Sequence, residues 1–296
     1  MTAKTLACSP QEYHADPCAR PSLNYSIAKV LVSKSPAHAY LAHPRLGGHP
    51  AGPTDDMLFG NLVHDLVLNA CGRTVTIDAP DYRTKAAKVS KAEALNHGQY
   101  PILLCKMDKV QACANAVDEA FFDLGIKADP DKAERIIEWE DAYGATGLVL
   151  CRSMLDLIDG LTIWDLKTCS DASPHATHRK IFDMGYEIQA ASYIRAAERL
   201  QPDLAGRIKF RWLFIETAPP YATAIVDPSP ATLSLGAARW CDALRIWSKC
   251  LKDDFWPGYG DEPTIVDPPT WELQRQMSDE TGDSDKPKWD LGLATV

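Results

Sequence analysis

One stretch constrains this chain more than any other: LVLCRSMLDLIDGLTIWDLK, residues 148–167, two apolar strand-forming runs joined around Asp159 and Gly160. An Asp-Gly junction between such runs is a hairpin signal. Side chains alternate along a strand, so Leu148, Leu150, Arg152, Met154 and Asp156 share one face of the first run. In the second, Ile163, Asp165 and Lys167 share a face. A turn centred on Asp159 and Gly160 sets residue 156 opposite 163, which makes Asp156 and Asp165 diagonal neighbours. Leu161, Ile163, Trp164 and Leu166 make the second run too apolar for a solvent-facing ribbon, so these carboxylates are expected to be half buried. There they repel, and one would be forced to protonate. A divalent cation removes the conflict, and carboxylate oxygens suit magnesium or manganese. Lys167 would project beside the metal, where it can stabilise developing negative charge or orient an attacking water.

The flanking sequence supplies the frame. In SPAHAYLAHP, Ser35 is placed as a helix N-cap with Pro36 at the first helical position. GGHPAGPTDD, 47–56, reads as a loop, and MLFGNLVHDLVLNA after it as a helix with a wide apolar stripe. Residues 81–99 are basic and weakly patterned, and a helix is expected over 107–124. Strand signals then cover 133–141 and the central pair, a long helical region about 175–200, and a second hairpin RIKFRWLFIET/YATAIVD. A helix over 231–252 precedes a Pro-rich, acidic end. The order predicts one α/β domain with a mixed sheet over residues 1–275: a helical part at 20–125, a sheet with its bridging helix at 133–226, and a closing helix. Residues 276–296 are expected to be an acidic, disordered tail.

Composition narrows the setting. No run of 18 apolar residues exists and the first 21 residues lack an apolar stretch, so neither a membrane span nor a secretory signal is expected and the location reads as cytoplasmic. The nine cysteines show no two-residue knuckle spacing and read as free thiols in a reducing compartment. A net charge of −9 argues against a nucleic-acid-binding coat but leaves room for a local basic channel.

Asp156 followed by Asp165-x-Lys167 on the neighbouring strand resembles the PD-(D/E)XK nuclease superfamily. Two further elements point to its RecB-like branch. Gly60 and His64 in GNLVHDLV resemble that branch's Gly-x-x-x-His, and Gln189 and Tyr193 in QAASY resemble its Gln-x-x-x-Tyr. SPAHAYL, ERIIEWEDAYGATGLVLCRSMLD, IWDLKTCSDAS, GYEIQAASY and DDFWPGY extend the likeness over residues 13–260 to the RecE-type exonucleases (exodeoxyribonuclease VIII), which are encoded by phages and prophages. The fold so implied is a central mixed β-sheet flanked by helices. The resemblance makes His64, Asp156, Asp165 and the backbone carbonyl of Leu166 the metal ligands, with Glu134 a further candidate, and Lys167 the catalytic lysine. Gln189 and Tyr193 would touch the DNA backbone or support the site. Relatives favour Arg-Pro-Asp where this chain has Met154, Leu155 and Asp156, and Arg152 is expected to replace the missing cation. His178, Arg179 and Lys180 follow the metal strand and are expected to contact phosphate, although a solvated helix start accounts for them equally.

The function implied is Mg²⁺-dependent exodeoxyribonuclease action on one strand of linear duplex DNA, with Mn²⁺ substituting and no iron–sulfur cluster. The resemblance adds 5′-to-3′ polarity, a ring-like homo-oligomer such as a tetramer, a single-strand-annealing recombination protein as partner, and a host-cell cytosol as the place of action. Rival readings are an endonuclease or flap-specific nuclease on the same fold, and a DNA-binding recombination scaffold whose nuclease has decayed. The intact Asp156, Asp165 and Lys167 weigh against the scaffold.

Overall fold

The structure, a computed structural model, describes residues 2–49, 52–68, 72–142, 147–260, 263 and 265–281. The N-terminal part contains β1 (Ala3–Thr5), α1 (Pro10–His14), α2 (Tyr25–Ser33), α3 (Pro36–Ala42) and α4 (Asp55–Leu68). β2 (Thr74–Ile77), α5 (Lys85–Asn96), β3 (Tyr100–Leu103) and α6 (Met107–Asp123) follow. The middle is β4 (Ala133–Ala142), β5 (Leu148–Asp159), β6 (Thr162–Cys169), α7 (Pro174–Asp183) and α8 (Tyr186–Leu200). β7 (Lys209–Glu216), β8 (Thr223–Val226), α9 (Pro230–Asp253) and α10 (Thr270–Thr281) complete the described elements. They belong to two compact units, Met1–Gly258 and Tyr259–Val296. Among the described residues no helix is long and apolar enough to cross a membrane.

In the first unit six strands form one mixed sheet in the order β1-β4-β5-β6-β7-β8. Neighbours are antiparallel except β6 and β7, which are parallel. A parallel neighbour requires a crossover, and α7 and α8 supply it. Helices cover both faces. Ile163, Trp212 and Phe214 pack with Tyr193 of α8 and Trp240 and Trp247 of α9. Trp164, Leu166, Leu213 and Ile215 pack with Val63 of α4 and Val117 and Phe121 of α6. Burial on both faces is why β6 and β7 read as largely apolar runs, with Asp165 and Lys167 the charges in β6.

The architecture agrees with the fold expected from sequence, and four details differ. The β5–β6 register pairs Asp159 with Thr162 and Leu157 with Trp164, so the loop is Gly160-Leu161 and residue 156 falls level with 165 rather than 163. Gly160 takes a φ of 57°, a conformation that glycine adopts without a side-chain penalty. The helical region 175–200 is broken at Gly185, φ 65°, into α7 and α8. Residues 72–103 form a small parallel β2-α5-β3 unit, whose four-residue strands are too short to declare themselves by period. Helix α10 occupies part of the expected disordered tail. It is rich in helix formers and carries a Glu272–Arg275 pair one turn apart, so local preference orders it. Residues 282–296, including the rest of that tail, lie outside the described residues.

Candidate active site

The site begins where the sheet comes apart. Between β4 and β5 the ladder pairs Ala133 with Leu157 and resumes at Arg135 with Leu155, skipping Glu134 and Asp156. Between β5 and β6 it ends at Leu157 with Trp164, one step short of Asp156 and Asp165. Asp156 therefore lacks a ladder partner on either side. Its carboxylate fills the gap: Oδ2 accepts the Leu166 N–H at 2.9 Å.

Asp165 is completely buried on β6 and reached from two directions. The Gln189 side-chain amide donates to Oδ1 at 2.8 Å, and the Lys167 ammonium forms an ion pair with Oδ2. Period-2 alternation puts Asp165 and Lys167 on one face, while Gln189 comes from α8, packed on that face. Burial pushes the carboxyls of both Asp156 and Asp165 above the ordinary carboxylate range, against the pull of the Lys167 charge. For Lys167 burial works against the ammonium, but Asp165, Tyr186 and Asp156 outweigh it and leave its pKa raised.

His64 approaches from the opposite layer. Gly60 explains how: a Cβ there would lie 3.2 Å from Thr168 Oγ1, so glycine lets α4 come close to β6. One turn later His64 Nε2 donates to the Leu166 carbonyl at 3.1 Å, since a carbonyl can only accept. Nδ1 then bears the lone pair, 3.7 Å from Asp156 Oδ2. Burial, seconded by the charge of Lys167, lowers the His64 pKa and favours the neutral, ligand-competent imidazole. The adjacent Asp65 is buried and accepts from Thr74 N and Oγ1 at 2.9 and 2.7 Å, which anchors α4 to β2.

Glu134 stands across β4–β5 from Asp156 with a φ of 43°, sparsely populated for a side-chain-bearing residue. Arg73 holds its Oε2 at 2.5 Å. Burial raises its pKa, Arg73 opposing, and the charges of Asp156 and His64 also act on it.

The other expected site residues are distributed differently. Arg152 is corrected. It is 1% exposed and donates to Tyr13 O, Ser22 O and Ser22 Oγ, with Asp16 Oδ1 3.3 Å away, so it cannot meet DNA. It lies four residues from Asp156, about 13 Å along a strand, under the segment from Tyr13 to Ser22. Tyr193 is buried against Phe210, a supporting position rather than a DNA-facing one. Gln189 is likewise buried and acts on Asp165. His178 and Arg179 are exposed on α7, Arg179 pairing with Asp183 at 3.2 Å, whereas Lys180 donates to the Thr168 carbonyl. Two residues that sequence reasoning passed over belong here. Tyr186 lies three positions before Gln189, a spacing that shares a helix face, and its ring stands 4.8 Å from Lys167 Nζ. Arg73 lies in a segment without a readable pattern.

The donor types suit a hard divalent cation: two carboxylates, a carbonyl and an imidazole border the parted strands. Among the described residues Asp165 Oδ2 accepts no hydrogen bond beside the lysine ion pair. As placed, no three His, Cys, Asp or Glu side chains among the described residues form one ligand sphere, because Asp165 faces Lys167 and Gln189 while Asp156 and His64 face each other. A cation bound here would require Asp165 to turn from the lysine, whereas His64 could ligate through Nδ1 while Nε2 keeps its bond to the Leu166 carbonyl. The eight described cysteines are free thiols.

A family model described as a PDDEXK-like domain of unknown function (DUF3799) matches residues 26–267. Among solved structures, one from Eubacterium rectale described as a "putative exonuclease" superposes with a TM-score of 0.60. Identity is 11%, and the alignment covers 91% of this chain and 98% of the other, a likeness of fold. No curated protein matches the chain.

Proposed function

Because the chain belongs to the family of PDDEXK-like domains, we propose that it is a divalent-metal-dependent deoxyribonuclease, acting as an exonuclease on one strand of linear duplex DNA. The observation that carries this reading is the parting of β5 and β6 at Asp156, where Asp165, Lys167 and His64 meet. Asp156, Asp165, His64 and the Leu166 carbonyl would hold the cation, Mg²⁺ or Mn²⁺, with Glu134 at the edge. When bound, the cation supplies positive charge against the phosphoryl oxygens and lowers the pKa of water.

The chain's own groups do the remainder. The Leu166 N–H orients the Asp156 carboxylate, and Gln189 fixes Asp165. The Lys167 ammonium, 14% exposed at the side chain, orients the attacking water and faces the charge that develops on the phosphate. Exposed His178 and Arg179, on α7 just after β6, would meet the DNA backbone.

The order of motifs along the chain supports a finer reading as a RecE-type enzyme: 5′-to-3′ polarity, a ring-like homo-oligomer on a DNA end, and a single-strand-annealing protein as partner, in the cytosol of a host cell. Duplexes labelled at the 5′ or 3′ end, linear or closed circular, with and without Mg²⁺, test it. Release of the 5′ label from linear DNA alone, only with the cation, is the expected result. Nicking of the closed circle makes it an endonuclease, and no cation-dependent cleavage at all removes the nuclease reading.

A further inference from the structure

We propose that Tyr186 is a positioning residue for Lys167: its ring face receives the lysine ammonium when a divalent cation takes Asp165. The inference rests on the metal-dependent reading above.

Two contacts of Lys167 motivate it. Nζ is ion-paired with Asp165, and the Tyr186 ring centroid lies 4.8 Å away. Asp165 cannot serve both an ammonium and a divalent cation at full strength, because two positive charges on one carboxylate repel. An ammonium displaced inside a largely closed wall needs another partner, since an unpaired buried charge is costly. The π face of a tyrosine offers one, and it attracts a cation without being a ligand for a hard metal.

The ring is held in place for this. Tyr186 is the first residue of α8, and Gln189, one turn on, bonds Asp165, so ring and amide face the same strand. Gly185 makes the turn into α8 with a φ of 65°, and a Cβ there would lie 3.3 Å from Lys29 Cγ. Tyr25 closes the preceding end by donating to the Met184 carbonyl at 2.9 Å. The hydroxyl of Tyr186 has no part in the proposal; the ring does.

Calorimetric titration of the full chain with Mn²⁺ tests it without reference to cleavage. Tyr186→Leu should weaken Mn²⁺ binding about fivefold, because the lysine then competes harder for Asp165. Tyr186→Phe, which keeps the ring, should bind within about twofold of wild type. In a Lys167→Ala background, Tyr186→Leu should have no effect, as there is no ammonium left to receive. Tyr186→Met serves the same arm should the leucine variant not fold. Unchanged affinity in Tyr186→Leu overturns the proposal, and so does an equal loss with and without Lys167, which marks a merely structural ring. Failure of the underlying reading looks different: wild type then binds no Mn²⁺, or binds it equally well as Asp165→Ala.

Discussion

On the proposed reading, Lys167 would separate chemistry from binding better than any other residue of the site, because it would carry charge toward the reaction without being a metal ligand. Lys167→Ala should preserve the fold and DNA-end binding while cleavage falls about 10²-fold or more, the scale set by loss of one preorganised electrostatic group. Lys167→Arg should not rescue it, since a planar guanidinium does not replace a compact ammonium; single-turnover cleavage of end-labelled duplex reads both. A second residue governs acid stability. The Asp16 side chain is fully enclosed, and although burial alone raises its pKa, His43, Arg152 and Ser22 bring it from 3.8 down to about 2. Its folded pKa is thus below the unfolded one, so its contribution is complete above pH 3.8 and disappears as pH falls through 2. Stability at neutral pH should include about 2 kcal/mol from this group, and Asp16→Asn should flatten denaturant midpoints across that acid window. Arg152 shows the limit of legibility at this scale. Alternation alone places it with Asp156, but which loop lies over Arg152 is a long-range fact that no local pattern carries.

Elements were readable where a period was long enough to count, and less so where joints decide. The two-residue error in the β5–β6 register left the face of every side chain intact, whereas a one-residue error would have reversed them all. Hence the Asp156–Asp165–Lys167 grouping survived a wrong turn. The break between α7 and α8 depends on one glycine in a segment whose composition is helical throughout. Close packing of α8 against α9 depends on another: a Cβ on Gly236 would lie 2.0 Å from the Glu187 carbonyl oxygen, which is backbone and cannot swing aside. Gly236→Ala should cost about 3 kcal/mol, the upper part of the usual overpacking range, seen as a lower urea midpoint. Since α8 also carries Gln189 and Tyr186, the folded fraction should bind Mn²⁺ more weakly too.

At the scale of the whole molecule, charge is distributed unevenly. Nine acidic and three basic residues follow Gly258, so two thirds of the net −9 belongs to the second unit. The first unit contains the entire sheet and both apolar layers. A chain ending at Gly258 should keep its thermal midpoint within a few degrees and whatever cleavage the proposed cation dependence gives the full chain, and at low salt should bind duplex ends at least as tightly, measured by fluorescence anisotropy. The fold class was legible because helix and strand periods alternate in long blocks; the β2-α5-β3 unit was not, because each strand is a single short pairing defined only by its partner. The unpaired position at Asp156 has a practical corollary for anyone seeking a DNA complex. An aspartate whose carboxylate stitches two strands together is a poor choice for an inert variant, because its loss of activity would mix a torn sheet with a missing ligand. Lys167→Ala is the cleaner reagent for trapping uncut DNA.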